Sequence, residues 1–183
     1  MNPAIWFDQF DGVLSIGTTI HVVVDLSNGR RGLMPGSNPM KIKRIEHIAV
    51  AVKHLASMRD ILENKLGLTL EYEENLPQYN TRIAMYPVGE TYLEILESDK
   101  AGTEVSEWID KHGESLFHIC LEVDDIVGAL AELKANGVKL IDEVPRIGHA
   151  NARIAFLDPE STGHLLIELA ELPLHPEQST QAN

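Results

Sequence analysis

Two histidines and two glutamates recur at matching places in two similar stretches of the chain. His47 lies in EHIAVAV, and His118 lies 71 residues later in FHICLEV. Glu94 lies in LEIL, and Glu168 lies in the later stretch IEL. Imidazole nitrogens and carboxylate oxygens suit divalent cobalt, manganese, nickel, iron or zinc. Because both residue types repeat together, the sequence predicts one divalent-metal site formed by these four side chains.

The apolar neighbours of the two glutamates support this prediction. Side chains alternate between the two faces of a strand, so Glu94 shares a face with Tyr92 and Leu96. A carboxylate on an apolar face is costly to bury unless a cation or strong donors meet it. The alternatives are a buried structural histidine and a glutamate exposed on an edge strand. The coincidence of all four residues across the repeat favours the metal site.

Other side chains that could do chemistry give weaker signals. His149 and His164 lie in predicted loops near the last strands and are candidates for lining the mouth of a pocket. Cys120 follows His118 by two residues, and no motif around it would activate a thiol nucleophile. We therefore expect Cys120 to be a small packing residue.

The elements that would position the four candidate ligands follow the order β-α-β-β-β twice. Strand and helix periodicities predict the first copy as a helix at 54–65 with strands at 44–52, 68–74, 82–88 and 91–97. The second copy is predicted as a helix at 124–137 with strands at 116–123, 138–144, 152–158 and 164–171. A separate helix is predicted between the copies, at 103–113. The pattern predicts an α+β fold with modules at 41–100 and 113–172.

The chain is predicted to consist of three parts: an extension at 1–40, a domain at 41–172 and a polar tail at 173–183. In the extension, a β-branched stretch at 18–26 and the turn Asn28-Gly29 predict a hairpin, and a segment rich in Gly and Pro then predicts a linker. Two interpretations stay open, a hairpin packed on the domain and a dispensable addition. Because every candidate ligand follows Met40, the extension is not expected to be needed for chemistry.

The charge balance limits the classes of partner. The 183 residues carry 15 basic and 28 acidic side chains, a formal net charge of −13. Binders of nucleic acids and of anionic membranes need a basic face, so neither partner is expected. No apolar run approaches the ~20 residues of a membrane span, and the single cysteine excludes an intramolecular disulfide. These features predict a cytoplasmic protein with a small-molecule substrate.

Several stretches of the repeat resemble one known family. They are IEHIAVAV, LGLTLEYEE, YLEILES, WIDKHGESLFHICLEVDDI, LIDEVPRIG and ARIAFLDPESTGHLLIEL, all within 43–171. With the His-Glu-His-Glu pattern, they are similar to the vicinal oxygen chelate superfamily, which includes the glyoxalases and bleomycin resistance proteins. Within that superfamily, the helix WIDKHG and the long turn DPESTGH resemble the methylmalonyl-CoA epimerases.

The resemblance implies a curved, eight-stranded mixed sheet whose cleft holds the metal, usually in a homodimer. It implies that His47, Glu94, His118 and Glu168 bind the metal and that Glu168 is also the catalytic proton acceptor. The implied reaction moves the α-proton of a 2-methylmalonyl-type acyl-CoA thioester through a metal-stabilised enolate. Two alternatives stay open. One is another metal-dependent enzyme of the superfamily, such as a glyoxalase I-like lyase or a pathway-specific isomerase. The other is a non-catalytic, resistance-type protein that binds a small molecule.

Three positions depart from the family pattern. Phe117-His118 stands where the family often has His-His, and Asp158-Pro159-Glu160 stands where it often has His-Pro-Lys. Some members carry a second catalytic glutamate near the position of Arg82, where this chain has no carboxylate. The sequence therefore does not identify the group that serves the second face of the substrate carbon.

Overall fold

The computed structural model describes residues 13–14, 22–23 and 40–173, and its contacts divide the chain into two units, Met1–Lys41 and Ile42–Asn183. In the first unit, strand β1 (Val13–Leu14) pairs antiparallel with strand β2 (Val22–Val23), which lies inside the predicted strand at 18–26. The predicted turn at Asn28-Gly29, the linker after it and the tail beyond 173 lie outside the described residues. The role of the extension stays a prediction.

The second unit contains both predicted modules. The first module consists of β3 (Ile42–Val52), α1 (Leu55–Arg59) with a π-helical continuation (Asp60–Lys65), β4 (Tyr72–Leu76), β5 (Thr81–Val88) and β6 (Thr91–Ser98). Helix α2 (Glu104–His112) follows. The second module consists of β7 (Ser115–Val123), α3 (Ile126–Ala135), β8 (Arg146–Ile147), β9 (Arg153–Leu157) and β10 (Ile167–Glu171), with 3-10 turns at His149–Asn151 and Pro159–Ser161. Each module therefore has the order β-α-β-β-β.

Eight strands form one curved mixed sheet in the order β4-β5-β6-β3-β7-β10-β9-β8. Within each module the histidine strand runs parallel to the glutamate strand, as β3 pairs with β6 and β7 pairs with β10. The two histidine strands, β3 and β7, pair antiparallel at the centre. In this register Ala49 is the partner of both Glu94 and His118. Cys120 is likewise the partner of both His47 and Glu168. The α+β fold is confirmed, and its topology brings the candidate ligands together.

Apolar side chains fix the first module's half of the sheet from both faces. Along β5, Ile83 and Met85 join a cluster with the buried side of α2, whereas Ala84 and Tyr86 join a second cluster under α1. Fully burying a side chain of this size stabilises the fold by ~1.5–3 kcal/mol. Both clusters include residues of β3 and β6, so they fix the two strands that carry His47 and Glu94. Within the described residues, no helix has the length and apolar character that a membrane crossing requires.

The predicted strand at 68–74 begins later, at Tyr72. Gly67 adopts φ 73°, a left-handed conformation that ends the preceding helix. The amide of Leu68 then donates to the carbonyl of Leu62 at 2.8 Å, and Leu68 packs in the cluster under α1. Leu68, predicted as the first residue of the strand, therefore caps the end of the helix instead.

The predicted strand at 138–144 is wrong. Among its residues, Leu140 forms one isolated bridge to Leu157, and the strand of this region is instead β8. The amides of Ile141 and Asp142 both donate to the carbonyl of Phe156, at 2.9 and 3.2 Å. The carboxylate of Asp142 in turn accepts the amide of Phe156 at 2.9 Å. Because a side chain replaces a backbone partner, a regular ladder cannot form here.

Candidate metal centre

The four predicted ligands converge in the interior of the second unit. His47, Glu94, His118 and Glu168 are each at most 3% exposed. The Nε2 atoms of the two histidines lie 2.8 Å apart. Oε2 of Glu168 lies 2.7 Å from Nε2 of His118 and 3.2 Å from Nε2 of His47. Oε2 of Glu94 lies 3.3 Å and 3.8 Å from Nε2 of His47 and Nε2 of His118, respectively.

This geometry fits a divalent ion. Ligand atoms ~2.0–2.2 Å from a common ion lie ~2.8–3.6 Å from one another at right or tetrahedral angles, and the separations found here, 2.7 to 3.8 Å, span this range. The two facing Nε2 atoms lie close enough either to share a proton as a hydrogen bond or to bind one cation together. Two nitrogens and two carboxylate oxygens suit the borderline divalent metals. These residues can hold such an ion.

A β-bulge adds a fifth group that the alternation of strand side chains did not predict. The pairing of β3 with β7 shifts between Ile45 and His47, so Glu46 is an extra residue on β3. Glu46 and His47 are consequently both buried, while Ile45, expected on the face of His47, is 40% exposed. The carboxylate of Glu46 contacts Nδ1 of His47. This contact directs Nε2 toward the other ligands.

His118 is oriented by aromatic rings, whereas His47 is oriented by the carboxylate of Glu46. The Nδ1 atom of His118 is buried without a hydrogen-bond partner among the described residues. Its ring packs between Phe117 and Phe156, at centroid distances of 5.3 and 5.2 Å. Each module therefore offers the same candidate ligands, one histidine and one glutamate, but different groups contact the two histidines.

A cavity of about 430 Å³ opens beside these ligands. Its wall includes all four ligands together with apolar side chains from both modules: Leu76, Leu96, Phe117, Ile154 and Phe156. Arg146 also lines it and is the single Lys or Arg in that wall among the described residues. The guanidinium lies over the rings of Tyr79 and Phe156, at 5.2 and 5.1 Å, and 3.2 Å from the carboxylate of Asp142. The cavity thus combines an apolar wall, a carboxylate-rich end and one fixed cation.

Comparisons with known proteins agree with this architecture. The family model of the glyoxalase/bleomycin resistance protein/dioxygenase superfamily matches residues 46–156. The chain belongs to this superfamily. The relatives include an uncharacterized protein of Bacillus subtilis, YqjC, which is 32% identical over 130 residues, 71% of this chain and 93% of that protein.

Two further relatives are epimerases. The mitochondrial methylmalonyl-CoA epimerase of Dictyostelium discoideum is 30% identical over 131 residues, 71% of this chain and 79% of that protein. The structure of Streptomyces coelicolor methylmalonyl-CoA epimerase (S115T) with 2-nitronate-propionyl-CoA gives a TM-score of 0.69 at 28% identity, over 72% of this chain and 96% of that one. The resemblance to the epimerases is confirmed, and within the superfamily the chain is an epimerase-type isomerase.

Burial and opposite charge have opposing effects on the pKa values of the candidate ligands. Burial raises the pKa of Glu168, but the facing imidazoles of His118 and His47 outweigh it and hold that pKa well below its usual range. Burial lowers the pKa of His47, but Glu94 and its other neighbours raise it well above the usual value. Without an ion, the site therefore favours an ionised Glu168 and a protonated His47. A bound cation would replace that proton, since metal ligation requires the neutral imidazole.

The same two effects set the pKa of Glu46, which contacts Nδ1 of His47. Burial raises its pKa, yet the neighbouring His149 and His47 lower it to about 2. Nη2 of Arg44 lies 3.6 Å from its other oxygen. Glu46 is therefore a fixed negative charge. In the sequence, the single sign of a role for Glu46 was its position directly before His47, a candidate ligand.

The three weaker candidates have different outcomes. His149 is 5% exposed and lines the cavity, with its ring 5.3 Å from that of His47. His164 is exposed in a turn and is not among the cavity-lining residues. Cys120 is fully buried beside the ligands, and burial raises the pKa of its thiol far above the usual range. A protonated, buried thiol agrees with the predicted packing role.

Proposed function

We propose that this chain is a divalent-metal-dependent epimerase that moves the α-proton of a 2-methylmalonyl-type acyl-CoA thioester. The observation that carries the proposal is the convergence of His47, Glu94, His118 and Glu168 in the wall of one cavity. In this proposal the four side chains hold the ion. The similarity to an epimerase solved with an acyl-CoA-derived ligand supports the substrate class.

The proposed chemistry assigns the α-proton to Glu168. Removing that proton leaves negative charge on the substrate oxygens, and a bound divalent ion supplies Lewis-acid stabilisation of such charge. The low pKa of Glu168 makes it a weak base in water. A short transfer to a carboxylate already fixed beside the substrate carbon offsets this weakness, because orientation is provided in advance.

The wall of the cavity supports the same reaction. The rings of Phe117 and Phe156 on either side of His118 limit the access of water, which strengthens electrostatic interactions inside the site. Arg146 supplies a positive charge for an anionic thioester, although the chain as a whole carries −13. We propose an acyl-CoA as the substrate on this basis. The homodimer that the resemblance implies stays a prediction.

Deuterium uptake from heavy water tests the proposal directly. The purified protein is loaded separately with cobalt, manganese, nickel, iron and zinc and is incubated with methylmalonyl-CoA in D₂O. We expect metal-dependent deuterium at the α-carbon, together with equilibration of the two epimers. His118→Ala is the matched negative control, because it removes one ligand and leaves the cavity in place. No uptake with any of the five metals would contradict the epimerase assignment.

The same samples separate the alternatives. A glyoxalase I-like lyase would use the same four ligands but would convert the hemithioacetal of methylglyoxal and glutathione. A resistance-type binding protein would bind a small molecule without exchanging its protons. Turnover of the hemithioacetal in the absence of deuterium uptake into methylmalonyl-CoA would replace the proposed substrate.

A further inference from the structure

The buried carboxylate of Glu46 lies between two imidazole rings. Its Oε2 atom contacts Nδ1 of His47 and lies 3.6 Å from Nε2 of His149, inside the ~4 Å limit of an ion pair. The rings of the two histidines meet edge to face, with their centroids 5.3 Å apart. All three residues are at most 5% exposed. One carboxylate oxygen therefore links His149 to a candidate metal ligand.

The opposite edge of the His149 ring is held by the first module. The hydroxyl of Tyr72, on β4, lies 3.1 Å from Nδ1 of His149. Burial raises the pKa of Tyr72 far above its usual value, and nearby carboxylates raise it further, so the phenol keeps its proton and donates it to Nδ1. The ring proton of the neutral imidazole then resides on Nε2. Tyr72 therefore turns an N–H of His149 toward Glu46.

The backbone that carries His149 is fixed as well. The amide of Gly148 donates to the carbonyl of Ala152 at 2.9 Å, and the amide of Ala152 donates to the carbonyl of His149 at 2.8 Å. Ala150 adopts φ 48°, and its amide donates to the carboxylate of Glu74 on β4 at 3.0 Å. A non-glycine residue in the left-handed region needs such support. The loop therefore presents the ring of His149 in one defined position.

The other oxygen of Glu46 has a weaker partner. Nη2 of Arg44 lies 3.6 Å from Oε1, and the side chain of Arg44 is 28% exposed and also pairs with Glu122. A carboxylate in the interior needs partners that compensate its charge. Without His149, we expect the carboxylate to turn toward Arg44 and away from Nδ1 of His47.

We propose that His149 is a positioning residue of the metal centre: its imidazole holds the carboxylate of Glu46 against Nδ1 of His47 and so keeps Nε2 of His47 aimed at the ion. This inference deepens the proposed function and rests on it, because it assumes a divalent ion at the four ligands. Outer partners of a metal-binding histidine fix the orientation of its ring. His149 extends that support by one residue, from the second module to a ligand of the first.

The test is a double-mutant cycle for zinc affinity with the full chain. The four proteins are the parent, His149→Phe, Glu46→Ala and the double variant. We expect His149→Phe to raise the dissociation constant for zinc roughly 10-fold, the lower end of the effect of outer partners. In the Glu46→Ala background the same change should have little further effect, because the two residues act through one contact. Additive losses, or no loss in His149→Phe, would overturn the inference.

Two further variants keep the test valid if His149→Phe disturbs the fold. His149→Gln keeps an N–H donor and should restore most of the zinc affinity. Tyr72→Phe removes the bond at Nδ1 and should cause a smaller loss that also disappears in the Glu46→Ala background. His54→Phe, which changes an exposed histidine, is the matched control and should bind zinc like the parent.

The visible absorption of the cobalt-loaded proteins separates positioning from a general loss of stability. The absorption bands report the geometry of the ligands around the ion. We expect them to shift or change intensity in His149→Phe and to resemble those of the parent in His149→Gln and His54→Phe. Bands identical to the parent's in fully loaded His149→Phe would overturn the inference, because His47 would then keep its orientation without His149.

The outcomes also separate this inference from the proposed function. If the parent binds zinc and exchanges deuterium, while His149→Phe binds zinc with the parent's affinity, the inference fails alone. If the parent binds zinc with the expected coupling between His149 and Glu46 but exchanges no deuterium, the proposed reaction fails and the positioning role stands. If the parent binds no divalent ion, both fail.

Discussion

Replacing Glu46 should weaken metal binding even though Glu46 touches no metal. Its carboxylate accepts the Nδ1 proton of His47 and so orients Nε2 of that ligand. Arg44 would not be stranded by the change, because its Nε atom lies 2.7 Å from Glu122. Loss of an outer carboxylate of this kind typically costs about 10- to 100-fold in metal affinity. We expect Glu46→Gln near the lower value, since its amide oxygen still accepts the proton, and Glu46→Ala near the upper one.

The assay is zinc competition against a chromophoric chelator at pH 7.5, with the folding of each variant checked by circular dichroism. Glu107→Gln is the matched control, because Glu107 is exposed on α2. Its dissociation constant for zinc should equal that of the parent. If both Glu46 variants fold and bind zinc as tightly as the parent, the carboxylate does not orient His47 and the interpretation of the bulge is wrong.

Four other changes test the site and the organisation of the chain. Glu168→Gln keeps a ligating oxygen but loses the proton acceptor, so it should retain metal and substrate binding while deuterium exchange falls roughly 100-fold or more; equal activity would remove Glu168 as the base. Glu94→Gln should cost less, because we assign Glu94 to ligation alone, and the same exchange assay compares the two. His118→Ala leaves carboxylates without their partner, and elemental analysis should show substantial loss of metal. A chain beginning at Met40 should fold and bind metal; insolubility would show that the extension is structural. In metal-free protein, the pKa of Glu46 is lowered from 4.5 to about 2, so its stabilisation is complete above pH 4.5 and is lost as the pH falls toward 2. The melting temperature of the parent should therefore fall more steeply over that interval than that of Glu46→Gln.

The convergence of the four candidate ligands was predictable because their pattern occurs twice in the sequence. His47 and His118 lie in equivalent strands, and the parallel partner strand of each carries a glutamate opposite the residue two positions after the histidine. Their apolar, β-branched composition was enough to find these strands, which run from five residues in β10 to eleven in β3. The pairing of β3 with β7, which completes the site, follows from the symmetry of the repeat.

The remaining features depend on single hydrogen bonds that periodicity does not encode. Glu46 reaches the site through a β-bulge, and alternation alone assigns it to the opposite face from His47. The segment at 138–144 has a strand-like composition, yet the carboxylate of Asp142 competes with the backbone for the amide of Phe156. His149 was suggested as a residue of the pocket mouth, and its partner Tyr72 comes from the other module. Such contacts are set by tertiary structure.

The antiparallel pairing of β3 with β7 also has a consequence for folding. Each module contributes one histidine and one glutamate, so neither module contains the complete donor set. The two facing imidazoles are 71 residues apart in sequence, and that loop must close before they can share an ion. Metal uptake during refolding would therefore report docking of the two halves, separately from the formation of each half. In the folded protein the ion would act as a crosslink across this central seam, so that its removal loosens the joint between modules before it unfolds either one.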